Sequence, residues 1–222
     1  MQHISIYDFD KTITRRATFL PFLFFGLRHY RPWRSVTLPL LLLATLGFGV
    51  RAIDRGRLKE LAFRLVYGHF VDEMALRENA QGFAERTWAT NMLPGALDQI
   101  AKDRIEGRQI ILATASYDFY VRELAQHLGV ADVIATTATR KENRISGKIA
   151  GENCYGLQKR ERIEEWFAQQ GIDRADCHIR FYSDHISDHP SLDWSDEAIA
   201  ANPHMPLRKL AAERGWAVLD WQ

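Results

Sequence analysis

The sequence predicts an α/β fold, a mostly parallel sheet covered by helices on both faces, with a helical segment inserted after the first strand. Three observations predict it. An apolar run ending in two aspartates opens the chain, in "MQHISIYDFDKTIT". A basic, apolar stretch of helical composition follows. Beyond it, strand-like runs alternate with amphipathic helical ones, the order that builds a parallel sheet.

The first strand rests on Ile4, Ile6 and Tyr7, an apolar run that belongs inside a sheet rather than at its edge. "FLPFLFFGL" and "LPLLLLATLGFGV" come next. Neither reaches the eighteen or so residues that a membrane-spanning helix needs. Extended back to Val36, the second gives about fifteen residues, roughly 22 Å of helix against a ~30 Å hydrocarbon core. That length argues against a transmembrane span and leaves open a helical hairpin packed on itself or resting on a membrane surface. Residues 59–88 have helical composition and few breakers. Pro94 and Gly95 in "LPGAL" mark a boundary before an amphipathic helix over 96–106. A buried strand over 109–113 ends in the small, hydroxylated "ATAS", and the helix of "DFYVRELAQHLGV" stops at Gly129. "DVIATTATRKENRISGKIAG" reads as a strand and a hairpin, "LQKRERIEEWFAQQ" as a helix, "HIRFYSD" and "WAVLD" as two more strands.

With 222 residues, the chain is long for one core and short for two. Its net charge of +1 argues against a general nucleic-acid binder. Cys154 and Cys177 have neither metal-ligand spacing nor a disulfide framework, so reduced thiols and a cytoplasmic location are expected. No signal peptide is read, because the first strand begins at once. Charge is unevenly spread: residues 15–64 hold ten basic side chains against two acids. That asymmetry leaves peripheral contact with the inner face of a membrane open.

Ligands of parallel sheets bind outside the carboxyl ends of the strands, where Asp8, Thr114 and Asp184 are all expected. Each motif there has a plain structural alternative. Aspartates such as Asp8 and Asp10 often cap a helix. A threonine after a strand is commonly a turn residue, and a lysine opening a helix is commonly solvated. The acids of "SDHISD" could be a solvated loop.

Taken together and in this order, "DFDKT", "IILATAS", Lys159 after "CYGLQ" and "FYSDHISD" resemble the haloacid dehalogenase superfamily, in its phosphoserine-phosphatase-like branch, subfamily IB. The likeness runs over nearly the whole chain, through "GKIAGENCYGLQK" and "ANPHMPLRKLAAERGWAVLDW". It implies a Rossmann-like core over 1–14 and 94–222 with a helical cap over 15–93. The implied activity is Mg²⁺-dependent hydrolysis of phosphomonoesters through an aspartyl-phosphate on Asp8, with Asp10 as general acid and base. Thr114 and Lys159 would take the phosphoryl oxygens, helped by main-chain amides near Ala115 and Ser116. Asp8, the Asp10 carbonyl and Asp184 would hold Mg²⁺, with Asp188 bracing the shell. His178, His185 and His189 suggest zinc, but the oxygen-rich set suits Mg²⁺ better.

Departures bear on the substrate. Phosphoserine phosphatases of this branch carry a glutamate for the serine ammonium where Ala17 stands here. Their glycine pair is replaced by Ala115 and Ser116, and His185 stands where a small residue is usual. Arg15, Arg16, Trp33 and the apolar runs instead suggest a lipid phosphate of phosphatidylglycerophosphate or lysophosphatidate type. The plainer reading is that these runs only pack the cap. Phosphoserine hydrolysis, transfer of the phosphoryl group to an alcohol, and a non-catalytic docking role remain as alternatives.

Overall fold

The computed structural model describes residues 1–49 and 53–221. Val50 and Arg51, counted above in the apolar and basic stretch, lie outside the described residues. Strand β1 (Gln2–Tyr7) leads into helices α1 (Phe19–His29) and α2 (Leu38–Gly49), which are joined by a 3-10 turn over Pro32–Thr37. Then come α3 (Arg55–Tyr67), the two-residue strand β2 (Val71–Asp72) and α4 (Glu73–Thr90). Helix α5 (Pro94–Ile105) returns the chain to β3 (Gln109–Tyr117), α6 (Asp118–His127) and β4 (Asp132–Thr136). A hairpin of β5 (Ala138–Lys141) and β6 (Arg144–Ile149) precedes α7 (Leu157–Gln169) and β7 (Cys177–Ser183). The chain ends with α8 (His189–Trp194), β8 (Glu197–Ala201), α9 (Met205–Arg214) and β9 (Ala217–Leu219).

Six strands form one parallel sheet in the order β4-β3-β1-β7-β8-β9. Ile6 on the central β1 faces Ile111 on one side and Phe181 on the other. Alternation along each strand sends side chains to two separate cores. Ile4, Ile6, Ile111, Ala113, Ile179 and Phe181 pack beneath α7 and α9. Tyr7, Leu112 and Tyr182 pack on the opposite face, in a core continuous with the inserted helices. There Phe22 stacks on Tyr67 and Tyr120, and Phe63 on Tyr67.

The stretch expected to be helical over 59–88 is instead two helices with a strand between them. Gly68 causes the break, with φ at +93°, a conformation that side chains with a Cβ resist. Each helix has its own aspartate cap: Asp54 accepts from Arg57 N–H at 2.8 Å and Asp72 from Ala75 N–H at 3.1 Å. Val71 and Asp72 pair antiparallel with β6, so the insertion shares a small sheet with the later hairpin. Helix α2 packs on α3, buries Leu41 and Ala44, and leaves Leu40, Leu42, Leu43 and Leu46 exposed. No described helix is long and apolar enough to cross a membrane.

Candidate active site

Because the large sheet is parallel, the ends of β1, β3 and β7 meet on one edge. Asp8 follows β1 directly and its N–H donates to Tyr182 O at 2.9 Å. Asp184 follows β7, and its N–H donates to Thr12 Oγ1 at 3.0 Å. Thr114 lies in β3 where the ladder with β4 slips: Thr114 pairs with Ala135 but Tyr117 with Thr136. Ala115 and Ser116 are therefore pushed out of the ladder toward the site. Gly156, at φ +64°, starts α7 and places Lys159 in its first turn.

Lys159 is 2% exposed and clamps two carboxylates, donating to Asp8 Oδ1 at 2.7 Å and Asp188 Oδ2 at 2.6 Å. Ser183 Oγ donates to the same Asp188 oxygen at 2.7 Å. Asp188 Oδ1 is buried without a partner. Asp8 and Asp188 thus share one ammonium, and a third buried carboxylate, Asp184, has no ion pair among the described residues. Burial, with repulsion from Asp188, outweighs the pull of Lys159 and raises Asp8 to about 7. Burial and the charges of Asp8 and Asp188 raise Asp184 to about 8. Burial opposes the charge on Lys159, yet Asp188 and Asp8 hold it firmly protonated. The three carboxylates carry more negative charge than the one ammonium beside them offsets.

Asp10 is fixed by three hydrogen bonds. Its Oδ1 accepts from Thr18 N–H at 2.6 Å and from the Thr18 hydroxyl at 2.7 Å, and its Oδ2 accepts from Ser116 Oγ at 2.6 Å. Lys11, at φ +65°, turns the chain immediately after it. From α3, Lys59 reaches across to donate to Ala115 O at 2.6 Å and Asn153 Oδ1 at 2.9 Å, over the Tyr117 ring. Burial pushes its ammonium down to about 7. Above the carboxylates lies a cavity of about 360 Å³. Its floor is polar; its roof is Ala17, Phe19, Leu20, Leu41, Leu58 and Ala62, with Arg55 and Lys59 as the cations on the α3 side.

Asp8, Asp10, Thr114, Ala115, Ser116, Lys159, Asp184 and Asp188 all line this one cavity. The Ser116 hydroxyl is occupied by Asp10, and Thr114 Oγ1 accepts from Ser116 N–H at 3.1 Å. The three histidines do not converge. His178 lies at the far end of β7 beside Glu197, His189 Nδ1 pairs with Ile186 O on the surface, and His185 stacks on His204 at 4.3 Å. Burial and His204 lower the His185 pKa, keeping it neutral. No three His, Cys, Asp or Glu side chains among the described residues enclose an ion by themselves. Arg15 and Arg16, expected near the substrate, face a different cavity. Lys59, Thr18, Asn153 and His204 were not legible as site residues, because each reaches the site only through tertiary packing.

A family model for haloacid dehalogenase-like hydrolases matches residues 6–193. A probable phosphatase of Mycobacterium tuberculosis is 29% identical over 204 residues, spanning 80% of this chain and 70% of its own. A phosphoserine phosphatase of the same organism is 28% identical over 226 residues, spanning 98% of this chain and 70% of its own. Among solved structures, a Bordetella pertussis Tohama I protein of unknown function superposes with a TM-score of 0.88 at 24% identity, over 99% of both chains. At that identity the likeness is one of fold.

Proposed function

The chain belongs to the haloacid dehalogenase-like hydrolases and is a phosphatase, and from that premise we propose that it hydrolyses phosphomonoesters with an apolar leaving group through an aspartyl-phosphate on Asp8. The apolar roof over an anionic, lysine-clamped floor carries this reading. Asp8 attacks phosphorus, the ester P–O bond breaks, and the departing oxygen takes a proton from Asp10. Asp10 then removes a proton from water, whose oxygen attacks phosphorus and releases phosphate and the Asp8 carboxylate. Thr18 and Ser116 hold Asp10 in place for both transfers. Thr114, the loop amides and Lys159 bind the phosphoryl oxygens. In this reading residues 1–14 and 94–222 are the catalytic core and 15–93 a cap that selects the leaving group.

The donor set fits a hard divalent cation such as Mg²⁺. It is all oxygen, it carries excess negative charge, and Asp188 Oδ1 is unpartnered. Asp8, Asp184 and the Asp10 carbonyl would hold the ion, with Asp188 bracing the shell. When bound, the ion supplies the positive charge that lets an anionic ester approach an anionic nucleophile.

Phosphoserine fits less well. No carboxylate among the described residues lines the roof to meet an ammonium, and Ala17 stands there instead. An alkyl or acyl tail fits better, and the exposed leucines of α2 favour a lipid phosphate as its source. The test is phosphate release with Mg²⁺ or EDTA from phosphoserine, octyl phosphate and lysophosphatidate, for wild type and Asp8→Asn. Preference for the alkyl esters, abolished in the variant, is expected. Preference for phosphoserine would overturn the substrate class and leave the mechanism standing.

A further inference from the structure

A second cavity, of about 590 Å³, lies beside the two chain segments that join the insertion to the sheet. The proposed reaction does not use it. Arg15 and Arg16 on the outgoing segment, Arg28 on α1 and Arg86 on α4 surround it, and Phe24 and Phe25 form part of its apolar side. No acid lines it. Elsewhere arginines sit on carboxylates, as Arg77 on Glu123 and Arg180 on Asp103. None of these four guanidiniums has an ion pair or a side-chain hydrogen bond among the described residues.

The fold holds this like charge together. Arg15 N–H donates to Asn91 O at 2.8 Å, and Arg16 N–H to Asn91 Oδ1 at 3.1 Å. Asn91 Nδ2 returns a bond to Arg16 O at 3.0 Å, and Thr14 bridges Met92. Four guanidiniums without counter-charge repel one another and present many N–H donors suited to phosphate oxygens. We propose that this cavity binds a phosphate-bearing anion with an apolar or aromatic body, the guanidiniums taking the oxygens and Phe24 and Phe25 the body. Such a group could belong to a soluble metabolite or to an anionic lipid headgroup. The site lies two residues before Thr18, which holds Asp10, so its occupant would sit on the segment leading to the proposed acid.

The test uses 1,5-naphthalenedisulfonate, an aromatic dianion with no ester to hydrolyse, titrated calorimetrically into the full chain. Saturable binding at one site is expected, weakened by added salt. In Arg28→Glu/Arg86→Glu it should weaken by at least about tenfold, as expected for loss of charge-assisted contacts. Both arginines are exposed, and circular dichroism checks that the variant folds. Its hydrolysis of a small aryl phosphate should remain near wild type. Phe24→Ala should weaken binding of the naphthalene probe and spare pyrophosphate. A parallel arm sediments the protein with phosphatidylcholine vesicles with or without phosphatidylglycerol. Charge-dependent sedimentation lost in the double variant assigns the ligand to a lipid headgroup; probe binding without sedimentation assigns it to a soluble anion. If neither the probe nor the vesicles distinguish the double variant from wild type, the site does not exist.

Discussion

Replacing Lys159 with methionine keeps much of the buried stem and removes the ammonium that Asp8 and Asp188 share. Removing one partner of a buried ion pair costs about 3–5 kcal/mol, because the remaining charge is stranded. Two carboxylates are stranded here, at 2.7 and 2.6 Å from the lost nitrogen. Protonation can relieve them, which sets the sign of the pH dependence. Asp8 and Asp184 already have folded pKa values of about 7 and 8, above the unfolded value of 3.8. Between pH 4 and 8 the folded state therefore binds more protons than the unfolded one, and stability falls as pH rises. Wild type in EDTA should be more stable at pH 5.5 than at pH 8 from this contribution, and Lys159→Met should steepen the slope. The assay is urea unfolding followed by tryptophan fluorescence in EDTA at both pH values. At pH 8 the variant should lose about 3–5 kcal/mol, and at pH 5.5 less than half of that. Loss below about 1 kcal/mol at pH 8, or equal losses at both pH values, would show that the carboxylates are not stranded.

Three further outcomes follow from the packing. Ser116→Ala frees one oxygen of Asp10 and should lower kcat by about tenfold with KM little changed, the signature of a weakened general acid. Gly147→Ala places a Cβ 2.5 Å from the buried Phe63 ring and should cost about 1–3 kcal/mol in urea unfolding. Asp103 is fully buried and accepts from Tyr7 Oη at 2.7 Å and Tyr182 Oη at 3.0 Å. Asp103→Ala strands both hydroxyls and should cost about 3 kcal/mol by the same assay.

The order of strands and helices was legible because strand runs such as Ile110–Ala113 are apolar throughout and helices such as α6 carry their own periodicity and stop, here at Gly129. Strand β8 was not, since "EAIAA" is short and built of small residues whose burial comes from α9 and β7. The break at Gly68 was missed for a similar reason: helical composition on both sides hid a single residue of positive φ. The acidic residues of the site stood out because each follows a strand and matches a familiar spacing. Lys59 did not, because nothing local distinguishes a lysine on α3 that crosses to Ala115 and Asn153 from one in solvent. Ser116 was legible as a site residue but not as the partner of Asp10, a contact across 106 positions of sequence.

The measurement with the greatest bearing on this account is acid quench of the enzyme during turnover of a ³²P-labelled alkyl phosphate with Mg²⁺. The account predicts label bound to protein, released by hydroxylamine as an acyl phosphate must be, mapped to the peptide carrying Asp8 and absent in Asp8→Asn. Turnover in which the protein never carries label at Asp8 would contradict it.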